Sequence, residues 1–192
     1  MLGRTHVATG LAAGLTFAVA TNTVTTTPLL AFGVAGAAAL LPDLDQPASL
    51  AGSRLGLQPA SWVLRLFGHR TFTHSLVALG LFALLVARLV ALRPAGYVLP
   101  SAYLDMAIIG FVSHLAADGC TKEGIELLWP LPRRFYLIPF SGLRVSTVHD
   151  ERLPWQVWRL QAYVDTERLF FRYPVYACLV FLIVNHTNFV LR

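Results

Sequence analysis

Apolar residues gather in five stretches: about Thr5 to Ala20, Pro28 to Leu41, His74 to Leu92, Ala102 to Ala117, and Tyr173 to Leu191. Their lengths predict helices, and a full bilayer crossing needs roughly 20 residues, with about 17 as a lower limit. The third and fifth stretches meet that length. The first, second and fourth are short, and the second also suits a re-entrant or half-membrane helix. Small residues crowd the first two (Gly10, Ala12, Ala13, Gly14; Gly33, Gly36, Ala37 to Ala39). Such residues let helices approach closely, so the pair is expected to form a tight hairpin across Thr21 to Thr27. The predicted fold is all-α: an integral membrane bundle of four to five spanning or half-spanning helices. It forms one domain over residues 1–192, with a core at 3–140, an interfacial aromatic and Arg-rich segment at 119–172, and a last helix at 173–191.

Composition agrees with a bilayer solvent. Of 192 residues, 56% are hydrophobic and 13% charged, whereas a soluble domain is nearer a quarter charged. Mean hydropathy is +0.61. The net charge of +5 is almost all Arg, Lys122 being the only lysine; it reads as an orientation signal, and no nucleic-acid partner is expected. Arg4, Arg54, Arg65, Arg70, Lys122 and the stretch from Arg133 to Arg172 fall on one side of the expected bundle. Arg88, Arg93 and Arg192 fall on the other, with Arg88 close enough to a helix end to snorkel. The basic side is therefore expected to be cytoplasmic, in a multi-pass membrane protein. Arg4 followed by an apolar run and Ala18-Val19-Ala20 has some features of a signal peptide. Its basic region is thin and His6 heads the apolar run, so the chain is expected to stay whole. Cys120 and Cys178 form neither a disulfide framework nor a zinc knuckle.

Ionisable residues fall in a telling order. His6 begins the first helix, and Asp43 and Asp45 follow the second. His69 and His74 bracket the start of the third, and His114 and Asp118 end the fourth. Alternating starts and ends place all seven on one side of an up-and-down bundle, the basic side. His114 and Asp118 are four apart and share a helix face, a half-site suited to zinc or manganese. Asp43 and Asp45 follow Pro42, which discourages helix continuation; in an extended segment both carboxylates would point the same way, and one would be able to bridge two ions. His69 and His74 converge if His69 lies in the loop and His74 in the first turn.

Each element alone has a plainer explanation: a solvated interfacial histidine, a helix-ending turn, or a hydrogen-bonded pair. Ionisable groups at membrane depth cost about 2.5–3.5 kcal/mol each on insertion scales and are functional by default. Four such elements on one face favour a metal site. Asp105 and His186 lie towards the opposite face and suit structural pairing. His149 would reach the cluster only by folding back, and Cys120 suits packing. Trp129, Phe135, Tyr136, Trp155 and Trp158, interleaved with Arg and Pro, read as an interfacial anchor or as a substrate-binding lid.

The strings Arg4-Thr5-His6, LLPDLD (residues 40–45), HRTFTHS (69–75) and HLAADGCTKEGIELLWP (114–130) together resemble the LexA-regulated inner-membrane family of metal-dependent hydrolases (YdjM-like), over roughly residues 3 to 140. The resemblance implies a membrane-bound hydrolase and carries ligand roles onto His6, Asp43, Asp45, His69, His74, His114 and Asp118. A looser likeness links the chain to the all-helical group of zinc-dependent phospholipase C and single-strand nuclease, although the spacing of that group's later histidines is not reproduced.

The expected chemistry is metal-assisted hydrolysis of a phosphoester, in a lipid or lipid-linked substrate. Zinc is the favoured cofactor, with manganese as the alternative, and two ions are expected. Arg70 and Lys122 are candidates for binding phosphate oxygens, or are merely positive-inside residues. Asp45 or Asp118 is the candidate general base. The alternative class is a non-enzymatic metal-binding or structural membrane protein using the same residues. The oligomeric state and the substrate are not set by these patterns.

Overall fold

The computed structural model describes residues 3–21, 28–54, 56–92 and 101–138, with the isolated positions Tyr176 and Val180. The expected Thr-rich turn at 22–27, the interfacial segment beyond residue 138, His149, and the last stretch with Cys178 and His186 lie outside the described residues, those two positions excepted. Among the described residues, six α-helices follow in order: α1 (Gly3–Thr21), α2 (Pro28–Ala38), α3 (Leu50–Arg54), α4 (Gln58–Leu64), α5 (Leu76–Ala91) and α6 (Ser101–Gly119). Short 3-10 turns at Pro42–Asp45, Arg65–Phe67 and Phe72–His74 join them. The described residues contain no strand, only an isolated antiparallel bridge between Ile125 and Phe135.

α1, α2 and α6 form the centre because their facing residues are small. A Cβ on Gly10 would stand 2.7 Å from both the Ala35 carbonyl oxygen and the Ala39 Cβ. One on Gly110 would collide with the same Ala35 carbonyl. The backbones of α1 and α6 thus both close on α2 at Ala35, and Ala18, Ala31, Ala35 and Met106 are buried around that contact. A second cluster, Phe111, Leu115 and Ile125, receives Leu41, Leu79 and Phe82. Phe82 stacks on Phe111 with ring centroids 5.2 Å apart, tying α5 to α6.

Helix length and composition decide how these elements meet a bilayer. α2 has 11 residues and α5 has 16, roughly 16 and 24 Å at about 1.5 Å per residue, against a hydrocarbon core of about 30 Å. α1 and α6 have 19 residues each but carry His6, Thr5 and Thr9, and Asp105, Ser113, His114 and Asp118. Among the described residues, no helix is long and apolar enough to cross a membrane. Apolar surface is nonetheless plentiful. α5 has no buried residue, and Leu89, Trp62 and Leu66 are 62%, 60% and 83% exposed. Trp62 also carries the Arg65 guanidinium 5.6 Å above its ring.

Candidate metal centre

The site forms where the small-residue core meets the turns. His6 lies in the first turns of α1, Asp43 and Asp45 in the 3-10 turn after α2, His74 at the end of the turn leading into α5, and His114 and Asp118 one turn apart near the end of α6. Asp43, His74, His114 and Asp118 bring one ligand atom each into a common space. His74 Nε2 lies 3.0 Å from His114 Nε2, 3.7 Å from Asp43 Oδ1 and 3.5 Å from Asp118 Oδ2. His114 Nε2 stands 3.7 Å from Asp43 Oδ1 and 3.8 Å from Asp118 Oδ2. Four N and O ligands at about 2.0–2.2 Å from one tetrahedral ion stand about 3.3–3.6 Å from each other. The observed separations bracket that spacing.

Hydrogen bonds at the other ring nitrogens fix the tautomers. His114 Nδ1 lies 2.7 Å from the Ala39 carbonyl oxygen, which only accepts, so Nδ1 carries the proton. Thr73 Oγ1 donates to Asp45 Oδ2 at 2.7 Å, and its one hydrogen is thereby engaged. It therefore accepts from His74 Nδ1 at 3.0 Å. In the neutral imidazoles both Nε2 atoms are left as lone pairs. Two lone pairs facing each other beside two carboxylates repel unless a cation stands among them. The donor set, two imidazole nitrogens and two carboxylate oxygens, suits zinc or manganese.

Asp45 lies one layer out. It is fully buried, with Oδ1 2.9 Å from His69 Nδ1, and Oδ2 accepting from the Arg70 amide at 3.2 Å and from Thr73. The expectation that Asp43 and Asp45 point the same way from an extended segment is corrected here. Pro42–Asp45 is a 3-10 turn, in which residues two apart diverge by about two thirds of a revolution. Asp43 faces the centre, while Asp45 orients Thr73 and hence His74, the supporting layer on which ligand orientation depends. With both oxygens engaged, Asp45 is badly placed to act as a general base. Asp43, Asp45 and His69 also approach closely enough to share an ion; through Asp45 Oδ1 it would replace the contact with His69 Nδ1 and leave the Oδ2 bonds to the Arg70 amide and Thr73 in place.

Arg70 is enclosed as well. It is 5% exposed, with Nε 3.2 Å from Asp118 Oδ2 and an Nη1 that reaches Thr121 Oγ1 at 2.9 Å and Glu123 Oε2 at 3.2 Å. Of the two expectations for Arg70, a phosphate-binding guanidinium or a positive-inside charge, this burial favours neither an open phosphate contact nor a surface charge: Nη1 is engaged by Thr121 and Glu123. Its φ of 61° is unusual for a residue with a side chain. The Asp45 carboxylate on its amide and the Glu126 amide on its carbonyl hold it there. Lys122 is exposed, beyond the end of α6. Thr73, Thr121 and Glu123 were not singled out by the sequence. Thr73 stands next to a ligand in HRTFTHS, and Glu123 is a charge of opposite sign to Arg70 in a chain with few charges; those were the available signals.

His6 is fully buried, and neither of its ring nitrogens makes a hydrogen bond among the described residues. Its ring stacks on His114 with centroids 3.7 Å apart and planes 18° from parallel. Nε2 lies 3.4 Å from Asp118 Oδ1 and 3.9 Å from Asp43 Oδ2.

Burial pushes the His74 imidazole down, but the Asp118 and Asp43 carboxylates facing Nε2 outweigh it and raise the pKa to about 9. For Asp43, burial pushes up, while His114, His74 and His6 hold it well below the usual carboxylate range. Burial and the nearby Asp118 charge push the Cys120 thiol up, away from a nucleophile's range.

Beside the centre, α1 and α6 frame an open apolar groove of about 520 Å³, lined by Thr9, Ala13, Val112, Ser113, Ala116 and Cys120 among others. Ser113 adjoins His114, and Thr9 lies one turn from His6.

The family model of the YdjM inner membrane protein matches residues 1–189. The chain belongs to this family. It is 39% identical over 127 residues to the inner membrane protein YdjM of Escherichia coli (strain K12), covering 62% of this chain and 61% of that protein. The same figures hold for YdjM of Shigella flexneri. YvsG of Bacillus subtilis (strain 168) is 32% identical over 131 residues, covering 68% of this chain and 74% of its own length. The chain thus spans 61% of the length of the two YdjM relatives. No solved structure matches it. The family is the one that the four motifs resemble.

Proposed function

We propose that the chain is a metal-dependent hydrolase of the inner membrane, acting on a phosphoester in a lipid or lipid-linked substrate. The observation that carries this reading is the facing pair of Nε2 lone pairs on His74 and His114, flanked by Asp43 and Asp118. Asp43, His74, His114 and Asp118 would hold a divalent cation, zinc first and manganese second. When bound, such an ion lowers the pKa of water from 15.7 to about 7 and polarises a phosphoryl oxygen.

The protein's own groups supply the rest. Asp118 is fixed by Arg70 and shut away from solvent, whereas the Asp43 side chain is 13% exposed and is the carboxylate able to pass a proton outward. Exposed Lys122 is the remaining candidate to meet substrate phosphate. The apolar groove between α1 and α6 suits an acyl chain lying beside the centre. The exposed leucines of α5 and the Trp62–Phe67 surface suit contact with lipid, in a multi-pass protein with the site on the cytoplasmic side.

The test is elemental analysis of detergent-purified protein together with hydrolysis of a panel of phospholipids and lipid phosphates. Stoichiometric metal, with turnover abolished in His114→Gln, is the expected result. Metal-free wild type would sink the reading. A second reading, a metal-holding structural protein, is favoured by the enclosure of Arg70; it predicts bound metal with no turnover on any member of the panel.

A further inference from the structure

The two oxygens of each central aspartate face different histidines. Asp43 Oδ1 and Asp118 Oδ2 face His74 and His114. Asp43 Oδ2 and Asp118 Oδ1 face His6, at 3.9 and 3.4 Å. We propose that His6 and these outer oxygens hold a second divalent cation, with Asp43 and Asp118 bridging it to the first. The inference rests on the metal-centre reading above and adds a separate site to it.

Stacking rules out one ion shared by all three histidines. An ion bound to imidazole lies in the ring plane, along the nitrogen lone pair. The His6 and His114 rings are 3.7 Å apart and only 18° from parallel, so their planes do not meet within bonding reach. An ion in the His114 plane stands about one ring spacing off the His6 plane, out of line with its lone pair. Two ions, one in each plane, stand about as far apart as the rings. That spacing falls within the roughly 3.5–4 Å typical of two-metal hydrolytic sites.

Burial supports the same assignment. A fully buried imidazole with no hydrogen bond at either nitrogen is costly, and His6 is in that condition among the described residues. Packing alone would be served by an apolar ring. An imidazole whose Nε2 stands 3.4 and 3.9 Å from two carboxylate oxygens, with a hydrogen bond to neither, is explained by a ligand between them.

The experiment uses the full chain in detergent, stripped with chelator and titrated with manganese chloride alone. Bound manganese is counted by equilibrium dialysis and elemental analysis, and the loaded protein is examined by electron paramagnetic resonance. Wild type is expected to bind two ions per chain and to lose its simple six-line signal as the second enters, because the shared carboxylates couple the spins. His6→Gln is expected to bind one ion and keep the six-line signal. Saturation of wild type at one ion would overturn the second site and leave the first intact; two uncoupled ions would overturn the bridging arrangement. Retention of two coupled ions by His6→Gln would remove His6 from the site. No bound ion at all would overturn the metal-centre reading itself. If His6→Gln does not fold, the count and coupling in wild type still decide.

Discussion

His74 Nε2 and His114 Nε2 stand 3.0 Å apart, and the second nitrogen of each ring is already committed, to Thr73 and to the Ala39 carbonyl. The pair requires a positive charge. In the metal-free protein the available one is a proton: burial pushes the His74 pKa down, but the Asp118 and Asp43 carboxylates facing Nε2 outweigh it and raise it to about 9.

Stability of the metal-free protein should therefore fall as pH rises. The folded-state pKa of His74 lies above its ordinary 6.5, so the stabilisation is fully present below about pH 6.5 and is lost on passing through about pH 9. About 1.36 kcal/mol per unit makes the difference on the order of 3 kcal/mol. Metal must displace this proton, so its apparent affinity should rise about tenfold per pH unit towards pH 9. Thermal unfolding of chelator-treated protein from pH 6 to 9, and metal competition over the same range, check both trends. The same stability trend in His74→Gln would assign the proton elsewhere.

Asp45 should behave as a supporting residue. Asp45→Asn keeps the size but removes the charge that anchors Thr73, His69 and the Arg70 amide. Metal affinity is expected to fall about 10–100-fold, the range for outer-layer partners of ligating histidines, while the number of ions bound is unchanged. Thr73→Val should act in the same direction through the same chain of bonds. Loss of a whole ion from Asp45→Asn, counted by elemental analysis, would make Asp45 a direct ligand instead.

Much of the site was legible because helix order fixes which ends meet. His6, Asp43, His74, His114 and Asp118 alternate between helix starts and ends, and they converge without further assumption. Direction was not legible. Whether Asp45 turns in or out depends on a 3-10 turn rather than an extended segment, and LLPDLD is compatible with either. The role of Arg70 depends on Glu123, 53 residues away, a contact that no local pattern announces. Helix boundaries also shifted: the stretch expected to start at His74 begins its α-helix at Leu76, capped by the Ser75 hydroxyl accepting from the Ala78 amide. A run of apolar letters does not show where a cap will fall.

Gly110 should be irreplaceable, because its missing Cβ is where the Ala35 carbonyl sits. Gly110→Ala would push α6 off α2 and carry His114 away from Asp43, at a cost of about 1–3 kcal/mol or more. Gly80, in α5, has open space around its would-be Cβ. Gly80→Ala should be neutral or stabilising by about 0.5–1 kcal/mol, through helix propensity alone. Thermal unfolding of both variants, with and without metal, makes the comparison. Equal behaviour would mean that α2 and α6 do not meet at Ala35.

Arg70 and Lys122 should separate sharply although both are cations near the site. Arg70 is buried against Asp118, Thr121 and Glu123, so Arg70→Ala leaves Asp118 without its guanidinium and Glu123 without its ion pair. Breaking a buried pair in this way typically costs about 3–5 kcal/mol, and metal affinity should fall with it because Asp118 loses its orientation. Adding Glu123→Gln to Arg70→Ala should recover part of the loss, since the two side chains act as one unit. Lys122 is exposed, and Lys122→Ala should change stability by no more than about 0.5 kcal/mol; on the proposed hydrolase it should raise KM for a phosphorylated lipid. A raised KM in Arg70→Ala with unchanged stability would return Arg70 to the role of a substrate-binding residue.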